Sequence, residues 1–318
     1  MTMNTDIAVL FPGQGSQEPN MGRDVAEANA DIMSLWKKAE KISGIDLRGI
    51  YWDGDEAAMA DTRNLQPALT LVNLGLWIEA SGSLRPTCMA GHSLGEFSAL
   101  AASEALSVEA VLEAVSLRGR LMAEADPNGT GAMAAAMKMK LEAVEAVVAD
   151  VAESTGEMIR IANYNTPGQF VLSGTKNAIA DASVKIKEQK GRAIPLKVSG
   201  AFHSPLMADA AKELSGYFAK LSWNNPKYPI YCNVTGKPAS KSTDLEEIMP
   251  QQMTSSVFWI ETITNQFNSG IRQFVEVGPK GVLSKMLGQI LKPVADSSEW
   301  ESLTLGNLEA VEAFKASK

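Results

Sequence analysis

The chain has 318 residues, 45% of them hydrophobic, and carries a formal net charge of −8. That apolar content excludes bulk disorder, and the negative balance excludes sequence-independent binding to nucleic-acid phosphates, which requires a basic surface. Two cysteines, Cys88 and Cys232, are too few for a disulfide framework and form no CxxC pair for zinc, so a reduced, cytoplasmic setting is expected.

The opening segment MTMNTDIAVLFPG has no basic stretch and only a short apolar run, so no targeting signal is read. No run approaches the ~20 apolar residues of a membrane span. The sequons at Asn128 and Asn233 are therefore expected to be unused. Ile7 to Phe11 reads as a buried strand ending in the loop Pro12-Gly13-Gln14-Gly15. Helices are predicted over 22–43 and 65–81, the second apolar on nearly every side and therefore deeply buried. A short strand over Thr87–Gly91 leads into Ser93 and a helix to Ser103. An amphipathic helix over 107–125 follows, with Ser107 as its N-cap.

Asp126 to Gly131 breaks the pattern. Beyond it come a strand (131–138), a helix (141–155), strands (158–164 and 169–174), a helix (176–190) and a strand (192–198). This β-α-β-β-α-β order is the ferredoxin-like unit, here a compact insertion. Helix 205–221, strand 228–234, helices to 268, strand 272–277 and helix 280–291 then resume the α/β pattern. The segment after Pro293 is weakly specified. Three spans are expected: 1–127 and 199–318 as the two parts of a large α/β subdomain, with 128–198 inserted between them.

Strand, Gly91-x-Ser93-x-Gly95 and helix form the pattern of a nucleophile elbow. The sharp turn lifts the serine oxygen off the strand end, glycines remove side chains that would clash, and the Leu94 N–H opens the helix facing a developing oxyanion. The competing reading is a serine that merely caps a helix. A serine hydroxyl needs a base, usually histidine, and the chain has two. His92 is adjacent to Ser93, and neighbouring side chains on a turn diverge. His203 lies 110 residues downstream in a loop between a predicted strand and a helix, so an imidazole-activated Ser93 selects His203. No acid is singled out as a third member, neither Asp181 nor Asp209, which leaves a backbone carbonyl or an amide to orient the ring.

Positions 111, 115, 118 and 122 follow one helix face, so Arg118 falls on an apolar stripe while Arg120 falls off it. A buried guanidinium needs an anionic partner. Periodicity leaves open, on one side, snorkelling or an internal salt bridge and, on the other, a ligand carboxylate held by two parallel hydrogen bonds. Gly13-x-Gly15-x-x-Glu18 lacks the third glycine of a dinucleotide fingerprint.

The motifs LFPGQGSQ, LQPAL, GHSLGEFSAL, SLRGRLM, NYNTPGQFVLSG, AFHSPLM and VEVGPKGVL occur in the order found in malonyl-CoA:acyl-carrier-protein transacylases, and the chain resembles that family from residue 7 to 290. The resemblance implies an α/β-hydrolase-like large subdomain with an inserted ferredoxin-like small subdomain. It implies Ser93 as nucleophile, His203 as base, Arg118 as the holder of the malonyl carboxylate, and Gln14 with Leu94 as oxyanion-hole donors. Gln252 is implied as the residue whose main-chain carbonyl orients His203, and Gln66, Asn165 and Phe202 as pocket residues. His92, inside the elbow motif, is expected to shape the pocket by hydrogen bonding. AFHS resembles the malonyl-selective version of its motif. One departure is Ser256-Val257, where the family often has proline-valine.

The implied reaction is a ping-pong transfer of malonyl from coenzyme A through Ser93 to the phosphopantetheine thiol of acyl carrier protein, with no cofactor or metal and a monomeric enzyme serving fatty-acid synthesis. Carrier docking on an acidic chain requires a local basic patch, for which Lys185, Lys187, Lys190, Arg192, Lys280 and Lys285 are candidates. The rival functions are a serine thioesterase or hydrolase, a non-enzymatic scaffold, and a relative serving a polyketide synthase or malonate decarboxylase.

Overall fold

The computed structural model describes residues 6–54 and 56–318. The opening residues read for a leader and the start of the 1–127 span lie partly outside these. Strand β1 (Ile7–Phe11) is buried along its whole length at the centre of a six-stranded sheet. Its parallel neighbours are β2 (Pro86–Gly91) and, on the other side, β9 (Gln273–Val277). Burial on both faces explains the uninterrupted apolar run in β1.

The smaller sheet is antiparallel and comprises β3 (Gly131–Met137), β4 (Ile159–Thr166), β5 (Gln169–Thr175) and β6 (Arg192–Pro195), in the order β4-β5-β3-β6. With helices Leu141–Thr155 and Lys176–Glu188 between its strands, it is the ferredoxin-like unit. The Asp126 carboxylate accepts from the N–H groups of Thr130 and Gly131 and so fixes the break before β3. The large sheet continues past the insertion with β7 (Ile230–Tyr231) beside β2, β8 (Pro238–Ala239) antiparallel to β7, and β10 (Glu301–Leu305) beside β9.

Several expectations need correction. The helix read over 22–43 is two helices, Arg23–Ala28 and Ala30–Ser43. Asn29 is extended, and its side chain accepts from the N–H groups of Asp31 and Ile32, capping the second helix. The strand read over 228–234 shortens to Ile230–Tyr231 because Asn233 turns into the elbow described below. Helices Leu47–Asp53 and Glu56–Ala60 were not anticipated. The segment after Pro293 forms β10 and a helix, Leu308–Ala316, capped by Asn307. The strand is ordered by pairing with β9, a tertiary effect that local periodicity does not carry.

Two helices set the depth of the site. Thr62–Ser81 is buried on almost every side, and Val108–Glu124, capped by Ser107, packs across it. A Cβ on Gly119 would lie 2.9 Å from the Thr62 carbonyl oxygen. This close crossing brings Arg118 against Gln66.

Candidate active site

Ser93 stands where β2 turns into helix Gly95–Ala102, with φ of 51°. A left-handed conformation at a non-glycine residue is maintained only where the surroundings enforce it. Here Asn233 does so from one side: its Oδ1 accepts from the Ser93 N–H at 2.6 Å and its Nδ2 donates to the Gly91 carbonyl at 2.6 Å. Gln252 does so from the other, its Nε2 donating to the Ser93 carbonyl at 2.8 Å.

The flanking glycines answer a steric demand. A Cβ on Gly95 would sit 2.0 Å from the Phe11 carbonyl oxygen, and one on Gly91 would sit 1.9 Å from the Gly95 carbonyl carbon. Both obstacles are backbone, so Gly95→Ala is expected to cost roughly 1–3 kcal/mol or more of stability through overpacking and to displace Ser93. Thermal unfolding and Ser93 acylation rate together check this.

The Ser93 hydroxyl lies 2.7 Å from His203 Nε2. His203 Nδ1 faces two carbonyl oxygens, those of Gln252 and Ser255, each at 3.1 Å. Carbonyls only accept, so the ring proton sits on Nδ1 and Nε2 is free to accept from Ser93. Burial pushes the imidazole down to about 3, aided by the positive charge of Arg118, so His203 is neutral at pH 7 and able to take a proton. His203 also has positive φ, 57°.

His92 is committed elsewhere. Its Nε2 bonds Asn165 Oδ1 at 2.8 Å, and its ring meets Trp259 edge-on. Burial holds its pKa below the ordinary value.

Val111, Val115, Arg118 and Met122 are all buried on one face, Arg118 at 1% exposure. Among the described residues Arg118 forms no ion pair. Its NH1 donates to Gln66 Oε1 at 2.8 Å, and its NH2 donates to Gln252 Oε1 and to Ser93 Oγ, each at 3.2 Å, while Nε has no partner. The guanidinium also lies over the Phe97 ring. Burial pushes its pKa down to about 10, opposed by attraction to Glu96, so it remains a cation at neutral pH. Among the described residues the guanidinium neither snorkels to the surface nor forms an internal salt bridge. Arg120 is on the surface with Glu124 and Glu213.

These groups border a cavity of about 300 Å³ whose lining includes Gln14, Leu94, Asn165, Phe202 and, from the small sheet, Met133 and Val171. Gln66 does not line it. The Gly119 crossing sets Gln66 one layer back, behind the guanidinium it holds. The loop bearing Gln14 is moored to the elbow by the His92 N–H donating to the Phe11 carbonyl and by Asn73 Nδ2 donating to the Pro12 carbonyl. Among the described residues, the N–H groups of Gln14 and Leu94 donate to no protein acceptor. No cluster of three metal-ligating side chains occurs among them either.

The two sheets meet at the segment that orients His203. Val257 bridges Asn163, and Ser256 Oγ donates to the Ile161 carbonyl while accepting from Arg160. Serine at 256 thus makes subdomain contacts through a hydroxyl that proline lacks. Two buried residues escaped the sequence reading. Glu96 and Asn233 are 0% and 1% exposed. The available signal for Glu96 was a lone charge in the otherwise apolar GEFSALAA helix. Asn233, read only as an unused sequon, is enclosed in the elbow. Lys187, Lys190, Arg192, Lys280 and Lys285 are exposed, whereas Lys185 is engaged by Asp150.

An α/β chain with a nucleophile elbow, a paired imidazole and an inserted ferredoxin-like unit has the form of a serine-dependent acyl-transfer enzyme, and residues 9–312 match the acyl transferase domain family, to which this chain belongs. Among its relatives, the malonyl CoA-acyl carrier protein transacylase of Bacillus subtilis (strain 168) is 38% identical over 296 residues, covering 92% of this chain and 93% of the relative. That of Haemophilus influenzae is 34% identical, with 97% and 98% covered. An acyl carrier protein S-malonyltransferase from Vibrio cholerae superposes with a TM-score of 0.89 at 34% identity, covering 97% of this chain and 99% of its own. A malonyl-transacylase in complex with a type II polyketide-synthase acyl-carrier protein gives 0.91 at 30% identity, with 99% and 100% covered.

Proposed function

We propose that this acyltransferase moves malonyl from coenzyme A to the phosphopantetheine thiol of acyl carrier protein. The observation that carries this reading is the meeting of three groups at one oxygen: Ser93 Oγ is bonded to His203 Nε2 and to the Arg118 guanidinium. In a malonyl thioester the carboxylate carbon is roughly 2.5 Å from the reacting carbonyl carbon, two bonds away. The anion holder must therefore sit beside the nucleophile, as Arg118 does. Family membership and the names of the relatives support the same substrate.

His203 Nε2 takes the Ser93 proton as Oγ attacks the thioester carbonyl. The N–H groups of Leu94 and Gln14 receive the oxyanion, donors whose individual loss typically costs ~10²–10³ in rate. Collapse breaks the C–S bond, and His203 returns the proton to the departing coenzyme A sulfur. The carrier thiol then gives its proton to His203, attacks the malonyl-serine ester and releases Ser93, which recovers that proton. Pairing of the malonyl carboxylate with Arg118 neutralises the charge that depresses His203, so the correct substrate strengthens its own base. An acetyl group does not.

We place the insertion at 128–198 and the enzyme in the cytoplasm, serving fatty-acid synthesis as a monomer without cofactor. Lys187, Lys190 and Arg192 with Lys280 and Lys285 are the basic groups offered to the carrier; charge reversal there is to raise the carrier KM. The test of the function follows labelled malonyl-CoA in the presence of holo carrier protein. Label on the carrier thiol supports transfer; free malonate as the main product makes the protein a hydrolase.

A further inference from the structure

Glu96 is fully buried on the first turn of the elbow helix, without a direct ion pair among the described residues. Both of its oxygens accept hydrogen bonds: Oε1 from the Asn233 backbone N–H and Oε2 from Gln252 Nε2, each at 2.9 Å. Asn233 and Gln252 are also the two clamps on the Ser93 backbone. Gln252 touches the reaction twice more, its main-chain carbonyl accepting from His203 and its Oε1 from Arg118. One carboxylate thus stands behind the serine, the histidine and the arginine.

We propose that Glu96 is a positioning residue for malonyl selection, fixing which end of the Gln252 amide faces Arg118. An amide is ambidextrous: turned over, it would present N–H groups to the guanidinium instead of an oxygen. The two acceptors at its nitrogen end, the Ser93 carbonyl and the Glu96 carboxylate, prevent this. Only a carboxylate serves both neighbours, because both are donors. Glutamine at 96 has one oxygen for two donors, so an N–H must face an N–H. Turning Gln252 over relieves that conflict at the expense of Arg118 and of the Ser93 carbonyl.

A protonated Glu96 has the same defect, and burial pushes its pKa up to about 7, opposed by the bonds from Gln252 and Asn233 and by Arg118. The carboxylate form, with the amide held, dominates above that value and is lost as pH falls through it. Of the titratable groups around it, Arg118 stays charged and His203 neutral across that range, while burial lowers the His92 pKa and pushes the Cys232 thiol up.

This inference rests on the proposed malonyl transfer, and both are read in one series. Initial rates with malonyl-CoA and acetyl-CoA, holo carrier protein saturating, are measured for the wild type and Glu96→Gln, each normalised to active sites counted by the acyl-enzyme burst. Malonyl transfer by the wild type tests the function by itself. In Glu96→Gln the malonyl-to-acetyl ratio of kcat/KM is expected to fall about ten- to a hundredfold, the value of a hydrogen bond to a charged group, mostly through the malonyl KM. In the wild type the ratio is expected to fall as pH is lowered from about 8 to about 6, across the carboxyl's transition, and to be flat in the variant. A merely structural carboxylate lowers melting temperature and active-site count but leaves the ratio unchanged. An unchanged ratio in Glu96→Gln overturns the proposal, as does a pH-independent ratio in the wild type.

Discussion

His203→Ala is expected to slow acylation of Ser93 by about 10⁴–10⁶-fold, the scale on which loss of the base disables a serine nucleophile. The expectation follows from hydrogen-bond direction. His203 Nδ1 faces two carbonyl acceptors, so Nε2 is the proton acceptor for the serine 2.7 Å away. His92 offers no substitute, since its Nε2 is occupied by Asn165. His92→Ala should therefore retain far more activity than His203→Ala. Stopped-flow measurement of acyl-enzyme formation checks both, and the reverse order of effects would reassign the base.

Arg118→Ala is expected to reduce kcat/KM for malonyl-CoA by about 10²–10⁴-fold, since removing one member of a buried charged arrangement typically costs 3–5 kcal/mol. The substitution leaves the incoming carboxylate unpaired and strands Gln66 Oε1 and Gln252 Oε1, which the guanidinium now satisfies. A neutral acetyl group makes no demand on that charge, so the malonyl-to-acetyl ratio should collapse even where absolute rates are low. Arg118→Lys should not restore it, because an ammonium cannot span Gln66, Gln252 and a carboxylate in one plane. Competition between malonyl-CoA and acetyl-CoA reads the ratio directly; its persistence in the alanine variant would remove Arg118 from substrate selection.

The Ser93–His203 pair was legible because histidine is scarce. With two histidines in the chain, and one of them adjacent to the serine, His203 followed by elimination. Arg118 was legible as a charge on an apolar helical stripe, but what it awaited was not. Periodicity cannot tell which partners a guanidinium on that stripe will meet; in the structure they are the side chains of Gln66, Gln252 and Ser93. The residues behind these groups left little trace. Asn233 reaches the elbow across 140 positions and Gln252 reaches Glu96 across 156, and no local pattern encodes such pairings. The same holds for the fold. Asn29 broke a helix by capping its successor, and β10 was invisible because its apolar alternation is weak and its order comes from β9.

The central claim, that Ser93 carries the malonyl group, is tested most directly by mixing the protein with malonyl-CoA in the absence of carrier protein, quenching in acid and mapping the adduct by peptide mass spectrometry. The account predicts one malonyl group per chain, on the peptide containing Ser93, discharged when holo carrier protein is added before the quench and absent from Ser93→Ala. A stable malonyl group on any other residue, or transfer to carrier protein by Ser93→Ala at the wild-type rate, would contradict it.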